Sequence, residues 1–328
     1  KEMKKRIFLF LSPQYLNYGD HAIALSEIEH FQKSFPEIQT IEINYSFFEF
    51  WTDRVQKAIS PMDVIVITGG GYIGSLWEDN EKAVERIVEM FPNNKIIFAP
   101  QTIFFLPDQN GREDRERLKC LLRNHGNFFF CLRDMASCQQ MKTMGFQEGK
   151  DYRLIPDFVL FLESIEIKKM GGGGILVCMR NDKEAEKGRR EKIIDTISEN
   201  YTGQYTCTDM SKDHVEIPVW MRKKVVGKKF EQFAKSDVVV TDRLHAMLFA
   251  AYTGTPCVAF DNVNGKVRGV YEWIRELNYV KIATDPSDML ELIHQVRKTE
   301  KNKNREAFLL LQKQLKSSFL HDFDALIS

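Results

Sequence analysis

Much of the first half of the chain is built from short runs that are apolar almost throughout, at 7–11, 40–44, 64–68, 95–99 and 128–132. A strand with one wet face alternates polar and apolar residues, whereas a strand covered on both faces does not. These runs therefore predict a parallel sheet packed between helices. Amphipathic stretches separate the runs, as βαβ connections require. Between the first two, Ala24, Ile28, Phe31 and Phe35 fall at helical spacing, with Asp20 placed as a cap and Pro36 as a stop. Asp134 is placed to cap a later helix, which Gly145 closes.

The pattern pauses at "MGGGG", 170–174, and a run of glycines without packing side chains suits a hinge. It resumes with strands near 175–179, 205–208, 238–241 and 257–260. The expected organisation is an N-terminal Rossmann-like lobe over 1–170, a C-terminal Rossmann-like lobe over 171–300 and a final helix over 301–328. In that helix Phe308, Leu311, Leu315 and Phe319 form an apolar stripe that packs back on the lobes. With 328 residues, two doubly wound α/β lobes of ordinary size are expected.

Charge narrows the partners. The 46 basic and 46 acidic residues cancel, which leaves no general electrostatic footprint for nucleic acid. The six cysteines show no C-x-x-C pair and no metal spacing with histidine, so neither a disulfide framework nor a metal site is expected, and a reduced, cytoplasmic compartment fits. The start "KEMKKRIFLFLSP" resembles a leader, but its apolar run is too short and reads as a first strand. No segment has the roughly 20 apolar residues that cross a bilayer, and no strong amphipathic anchor stands out. Membrane contact is expected to be peripheral at most, at the inner face.

Gly69, Gly71 and Gly74 spell G-x-G-x-x-G, but a dinucleotide fingerprint belongs after the first strand of its lobe and opens directly into a helix. This cluster follows a third strand, and Ser75-Leu76-Trp77 separates it from a helix starting near Asn80. The next strand ends in Pro100-Gln101-Thr102, with no carboxylate for a ribose. Gly69, Gly70 and Gly71, with Gln101 nearby, are read instead as the floor of a site at the carboxyl ends of the strands.

"TDRLHAMLFAAYTGTPCVAFD", 241–261, is the most informative segment: a buried strand, a polar turn, a helix of small residues, a glycine stop and a further strand. Residues two apart share a side only in extended chain, so if Arg243 and His245 serve one ligand the helix begins at or after His245, with Asp242 and Leu244 facing inward. Arg243 then stands where helix N–H groups favour an anion. Arg133 also follows a strand, and Lys266 lies in a loop after another. The loop after the first strand places Asn17, Gly19 and Asp20 at the same kind of edge. Plainer roles compete: surface ion pairs for the arginines and a helix cap for Asp20.

These segments resemble the polysaccharide pyruvyl transferases: "NYGDHAIA" from Asn17, "VIVITGGG" up to Gly71, "LRDMAS" around Arg133, "IPD" ending at Asp157, the segment from Thr241, and Lys266 of "NGK". The resemblance implies a GT-B-like α/β fold, two Rossmann-like doubly wound lobes facing across a cleft, and transfer of pyruvate from phosphoenolpyruvate to a sugar as a ketal, without cofactor or metal. It implies that Arg243 and Lys266, helped by Arg133, hold the donor, and that His245 is the general acid, a role suited to a side chain that titrates near neutrality. Asn17 and Asp20 would face the acceptor, with Asp20 as a base. The acceptor sugar, free or lipid-linked, is not specified. Two alternatives stand beside this reading: a GT-B nucleotide-sugar glycosyltransferase, and a non-catalytic glycan-binding component whose aromatics at 43–51 stack on sugar rings.

Overall fold

The computed structural model describes residues 4–182 and 184–328; residues 1–3, part of the basic start weighed against a leader, lie outside the described residues. Contacts divide the chain into two units. One contains the chain up to Gln14, Ile23–Phe158 and Phe319–Ser328, and the other Tyr15–Ala22 and Val159–Ser318.

In the first unit the apolar runs are strands β1 (Arg6–Ser12), β3 (Gln39–Asn44), β4 (Val64–Ile67), β6 (Lys95–Phe104) and β7 (Phe128–Leu132), joined by β8 (Tyr152–Leu154) and, beside β6, β5 (Gly70–Gly74). They pair in parallel in the order β3-β1-β4-β6-β7-β8. Burial on both faces explains the missing alternation: every residue of β4 is buried, as are Phe129 to Leu132 of β7. The helices are α1 (Tyr18–Ser34), which begins in the second unit, α2 (Tyr45–Ala58), α3 (Glu78–Met90), α4 (Gln109–His125) and α5 (Met135–Thr143). Asp134 caps α5, its carboxylate accepting from the Ser137 N–H at 2.8 Å. The cap of α1 is not Asp20 but Asn17, whose Oδ1 accepts from the Gly19 and Asp20 N–H groups at 3.1 and 3.3 Å. Asp20 sits inside the first turn, where its charge suits the helix dipole.

The second unit holds β9 (Ile175–Cys178), β10 (Tyr205–Cys207), β12 (Val238–Thr241), β13 (Cys257–Phe260) and β14 (Val280–Ala283), parallel in the order β10-β9-β12-β13-β14. A separate antiparallel ribbon joins β2 (Tyr15–Asn17) to β11 (Ser211–Glu216). Its helices are α6 (Arg189–Asn200), α7 (Arg222–Lys235), α8 (Leu244–Thr253), α9 (Lys266–Tyr271) and α10 (Met289–Val296), with most of α11 (Lys301–Ile327). Phe308 and Leu315 of the expected α11 stripe are buried, Leu311 and Phe319 half-buried, and the stripe continues through Phe323 and Ile327.

The glycine run lies within the second unit and is tied down. Gly172 and Gly174 donate to the Asp237 carboxylate at 2.7 and 3.0 Å, and a methyl group at Gly174 would stand 1.9 Å from the Gln204 carbonyl oxygen. Close backbone approach, not hinge freedom, is what these glycines supply here.

Of the fingerprint-like glycines, Gly71 and Gly74 lie in β5 and Gly69 just before it, and α3 opens only at Glu78, so the cluster does not run directly into a helix. Buried carboxylates take their N–H groups: Glu27 accepts from Gly69 at 2.8 Å and Glu81 from Gly74 at 2.9 Å. Burial pushes Glu81 up to about 7, outweighing the Gly74 hydrogen bond. The folded state thus keeps a proton that the unfolded chain releases near 4.5, and stability falls as pH rises between those values. Glu81→Gln keeps an acceptor for Gly74 without the charge. It is expected to gain on the order of 2–3 kcal/mol over the parent at about pH 8 and nothing at about pH 4, read from urea melts. Equal shifts at both pH values would contradict this origin.

Candidate active site

In the second sheet the chain passes from β9 to β10 on one side and then to β12 on the other, so the order reverses between β9 and β12. Ligands of open α/β sheets bind beyond the carboxyl ends of strands at such a point. Arg180 and Asp182 follow β9, and Asp242, Arg243 and His245 follow β12. The two loops are stitched together, the Arg180 N–H donating to the Asp242 carboxylate at 2.7 Å. Burial pushes the Asp242 carboxyl above its usual range despite that bond.

A continuous chain of ion pairs runs along this edge. Arg243 Nη1 lies 3.4 Å from Asp182, and Asp182 takes two hydrogen bonds from Arg180 at 2.8 Å each. Arg180 also reaches Glu184 at 3.2 Å, and Glu184 meets Lys266 Nζ at 2.5 Å. Arg243 Nη2 pairs further with Asp209. Burial alone would raise the two linking carboxyls. The Arg180 hydrogen bonds overcome it at Asp182, and the charges of Lys266 and Arg180 overcome it at Glu184, so both stay below the ordinary range. Arg180, Arg243 and Lys266 are 7%, 6% and 8% exposed, so their charges act in surroundings that screen them weakly. Arg243 Nε is buried and has no hydrogen-bond partner among the described residues.

Helix α8 starts at Leu244, one residue before the earliest start expected, with Arg243 as its extended N-cap residue (φ −97°, ψ 122°). Asp242 and Leu244 are buried as the alternation requires. Every residue of α8 is buried except His245, which is half-buried. The helix exists to be packed, and it presents one imidazole beside the arginine. Asn17, Gly19 and Asp20, expected with the first lobe, count with this unit, and Gly19 backs directly onto that imidazole. A methyl group there would stand 2.1 Å from His245 Nδ1.

The remaining candidates lie in the first unit. Arg133 is 1% exposed; its Nη1 pairs with Asp157 at 2.6 Å and its Nε donates to Thr102 at 3.0 Å. Its guanidinium is spent inside the fold. Gln101 is wholly buried, donating from Nε2 to the Thr68 carbonyl at 2.6 Å while its Oε1 has no partner. Gly70 pairs with it across β5 and β6, Gly71 is half-buried, and Gly69 is closed off by Glu27.

The sequence pattern of the polysaccharide pyruvyl transferases matches residues 17–264, which span Asn17, Gly19, Asp20, Arg243 and His245. The chain belongs to the polysaccharide pyruvyl transferase family. Among its relatives, General stress protein 30 of Bacillus subtilis is 30% identical over 88% of this chain and 83% of its own. Pyruvyl transferase 1 of Schizosaccharomyces pombe is 25% identical over 87% and 74%. The solved glycotransferase of kitacinnamycin shares the fold at 11% identity and a TM-score of 0.51, covering 95% of each chain. The fold is thus GT-B-like α/β, as the resemblance implies, with the parallel sheets that the apolar runs predict, and the chain is a transferase of pyruvyl groups in polysaccharide synthesis.

Arg180, Asp182, Glu184 and Asp209 were not singled out by the sequence. Arg180 carries the same signal as Arg243, a cation just past a buried strand, whereas the carboxylates earn their place only through folding. A test of the imidazole's seat follows from Gly19. In this pyruvyl transferase Gly19→Ala is expected to displace His245 and lower kcat on the order of a hundred-fold. Full activity in a folded Gly19→Ala variant would contradict that seat.

Proposed function

We propose that this pyruvyl transferase takes phosphoenolpyruvate as donor and forms a pyruvate ketal on a sugar with release of phosphate. The observation that carries the reading is the unbroken run of ion pairs from Arg243 through Asp182, Arg180 and Glu184 to Lys266 beside a switch point, with His245 at the start of α8. Phosphoenolpyruvate is a compact polyanion with a phosphate and a carboxylate, and fixed arginine and lysine groups are the chemistry that recognises both. Carboxylates hold these cations in place. The donor's anionic groups take their hydrogen bonds over, with the unpartnered Arg243 Nε as an additional donor.

His245 delivers a proton to the methylene carbon of the donor, so that its central carbon becomes electrophilic and bonds to the oxygen of a sugar hydroxyl. The hydroxyl proton passes to Asp20. The C–O bond to phosphate then breaks, phosphate leaves with its electron pair, and a second hydroxyl of the sugar closes the ketal, its proton restoring His245 while Asp20 gives up the first to solvent. Asn17 holds the turn that carries Asp20. Arg133 is given a positioning role, through Asp157, instead of a contact with donor. For the acceptor, Phe47, Phe50 and Trp51 of α2 are 48%, 81% and 44% exposed, and aromatic rings of this kind suit stacking on sugar rings.

Incubation with phosphoenolpyruvate and a panel of free, nucleotide-linked and lipid-linked sugars tests the reading. Release of inorganic phosphate together with a pyruvylated sugar is expected. Release of a nucleoside diphosphate from a nucleotide sugar, without use of phosphoenolpyruvate, would favour a glycosyltransferase instead.

A further inference from the structure

The chain is neutral overall, yet α7 carries six basic residues, Arg222, Lys223, Lys224, Lys228, Lys229 and Lys235, against one acidic residue, Glu231. Lys223, Lys224, Lys228 and Lys235 are exposed, and none has an ion-pair partner among the described residues. The first two stand in the first turn, where the helix dipole disfavours cations, so the fold gains nothing from them there. The short 3-10 turn Val219–Met221 runs straight into this helix. It exposes Val219 by 51% and Trp220 by 82%, among the most exposed large apolar side chains in the protein. Lys224 and Lys228, four apart in α7, share one face of that helix, and Trp220 lies in the turn that leads into it.

We infer that this face docks the protein on a bilayer surface bearing anionic headgroups, with Trp220 and Val219 at the headgroup level and the α7 lysines over the negative charge. An indole with an apolar body and a polar N–H suits that interface, and lysines near an anionic surface each strengthen binding by roughly five-fold. An apolar tip rimmed by cations of one sign fits such a surface better than a second copy of this neutral chain, whose matching face would repel it. None of these residues belongs to the site proposed for transfer, so the inference stands apart from the donor chemistry.

The test is co-sedimentation of the full chain with vesicles of phosphatidylcholine alone and of phosphatidylcholine mixed equally with phosphatidylglycerol. Binding to the mixed vesicles only, weakened by salt and accompanied by a blue shift of tryptophan emission, is expected. Trp220→Ala should remove most of that shift. The double variant Lys224→Glu, Lys228→Glu should lower vesicle affinity at least about ten-fold, while phosphoenolpyruvate affinity and thermal melting stay at parent values. No binding to mixed vesicles, equal binding to both compositions, unchanged binding by the lysine variant, or a preference for a single-stranded oligonucleotide over the vesicles would each overturn the inference.

Discussion

Replacing His245 by alanine is expected to lower kcat for pyruvyl transfer by about 10²–10⁴-fold, the usual contribution of a positioned general acid. The expectation rests on where the fold puts this side chain. Nine of the ten residues of α8 are buried, and the tenth is the imidazole, next in line after the arginine that caps the helix. His245 is not one of the five residues of the ion-pair chain from Arg243 to Lys266, so donor affinity measured by calorimetry should stay close to the parent value. Loss of turnover with donor affinity intact is the signature of a group needed in the transition state more than in the bound state. Turnover near the parent rate would remove the acid assignment. Equal loss of affinity would make His245 a donor ligand instead.

The second large effect is on stability. Arg133 and Asp157 are each 1% exposed and pair at 2.6 Å within the first unit, β7 supplying the strand that ends just before the arginine. Taking away one partner of a buried pair leaves a charge that water cannot reach. Asp157→Ala is therefore expected to cost about 3–5 kcal/mol, read as a lowered urea midpoint with an unchanged slope. The double variant Arg133→Met, Asp157→Leu should recover most of that loss, because no charge is stranded. A loss below about 1 kcal/mol in Asp157→Ala would show that the guanidinium finds water or another anion, and would return Arg133 to the donor site.

The central strands of both sheets were legible because burial on both faces leaves a mark that no local propensity can hide, whereas β8 and β14 were not foreseen. Runs such as 64–67 and 257–260 have no wet side on which a polar residue is tolerated. Short or edge elements left no such mark. The ribbon of β2 with β11 is largely exposed, and β5 is a glycine-rich strand without an apolar run, its Gly74 N–H taken by the buried Glu81. Of the proposed site, Arg243, His245 and Lys266 were singled out from their places past buried strands. The carboxylates that hold them were not, because Asp182, Glu184 and Asp209 look like ordinary surface acids until the fold brings them to the cations. Arg133 shows the converse. Its place after β7 matches that of Arg243 after β12, and only Asp157, twenty-four residues on, decides that its charge faces inward.

Calorimetric titration of the protein with phosphoenolpyruvate, beside Arg243→Ala and Lys266→Ala, bears most directly on the donor site. The account predicts saturable, salt-sensitive binding by the parent, weakened roughly ten- to a hundred-fold by each substitution, as loss of a charge-assisted hydrogen bond requires. Binding of equal strength in all three proteins, or none in the folded parent, would contradict it.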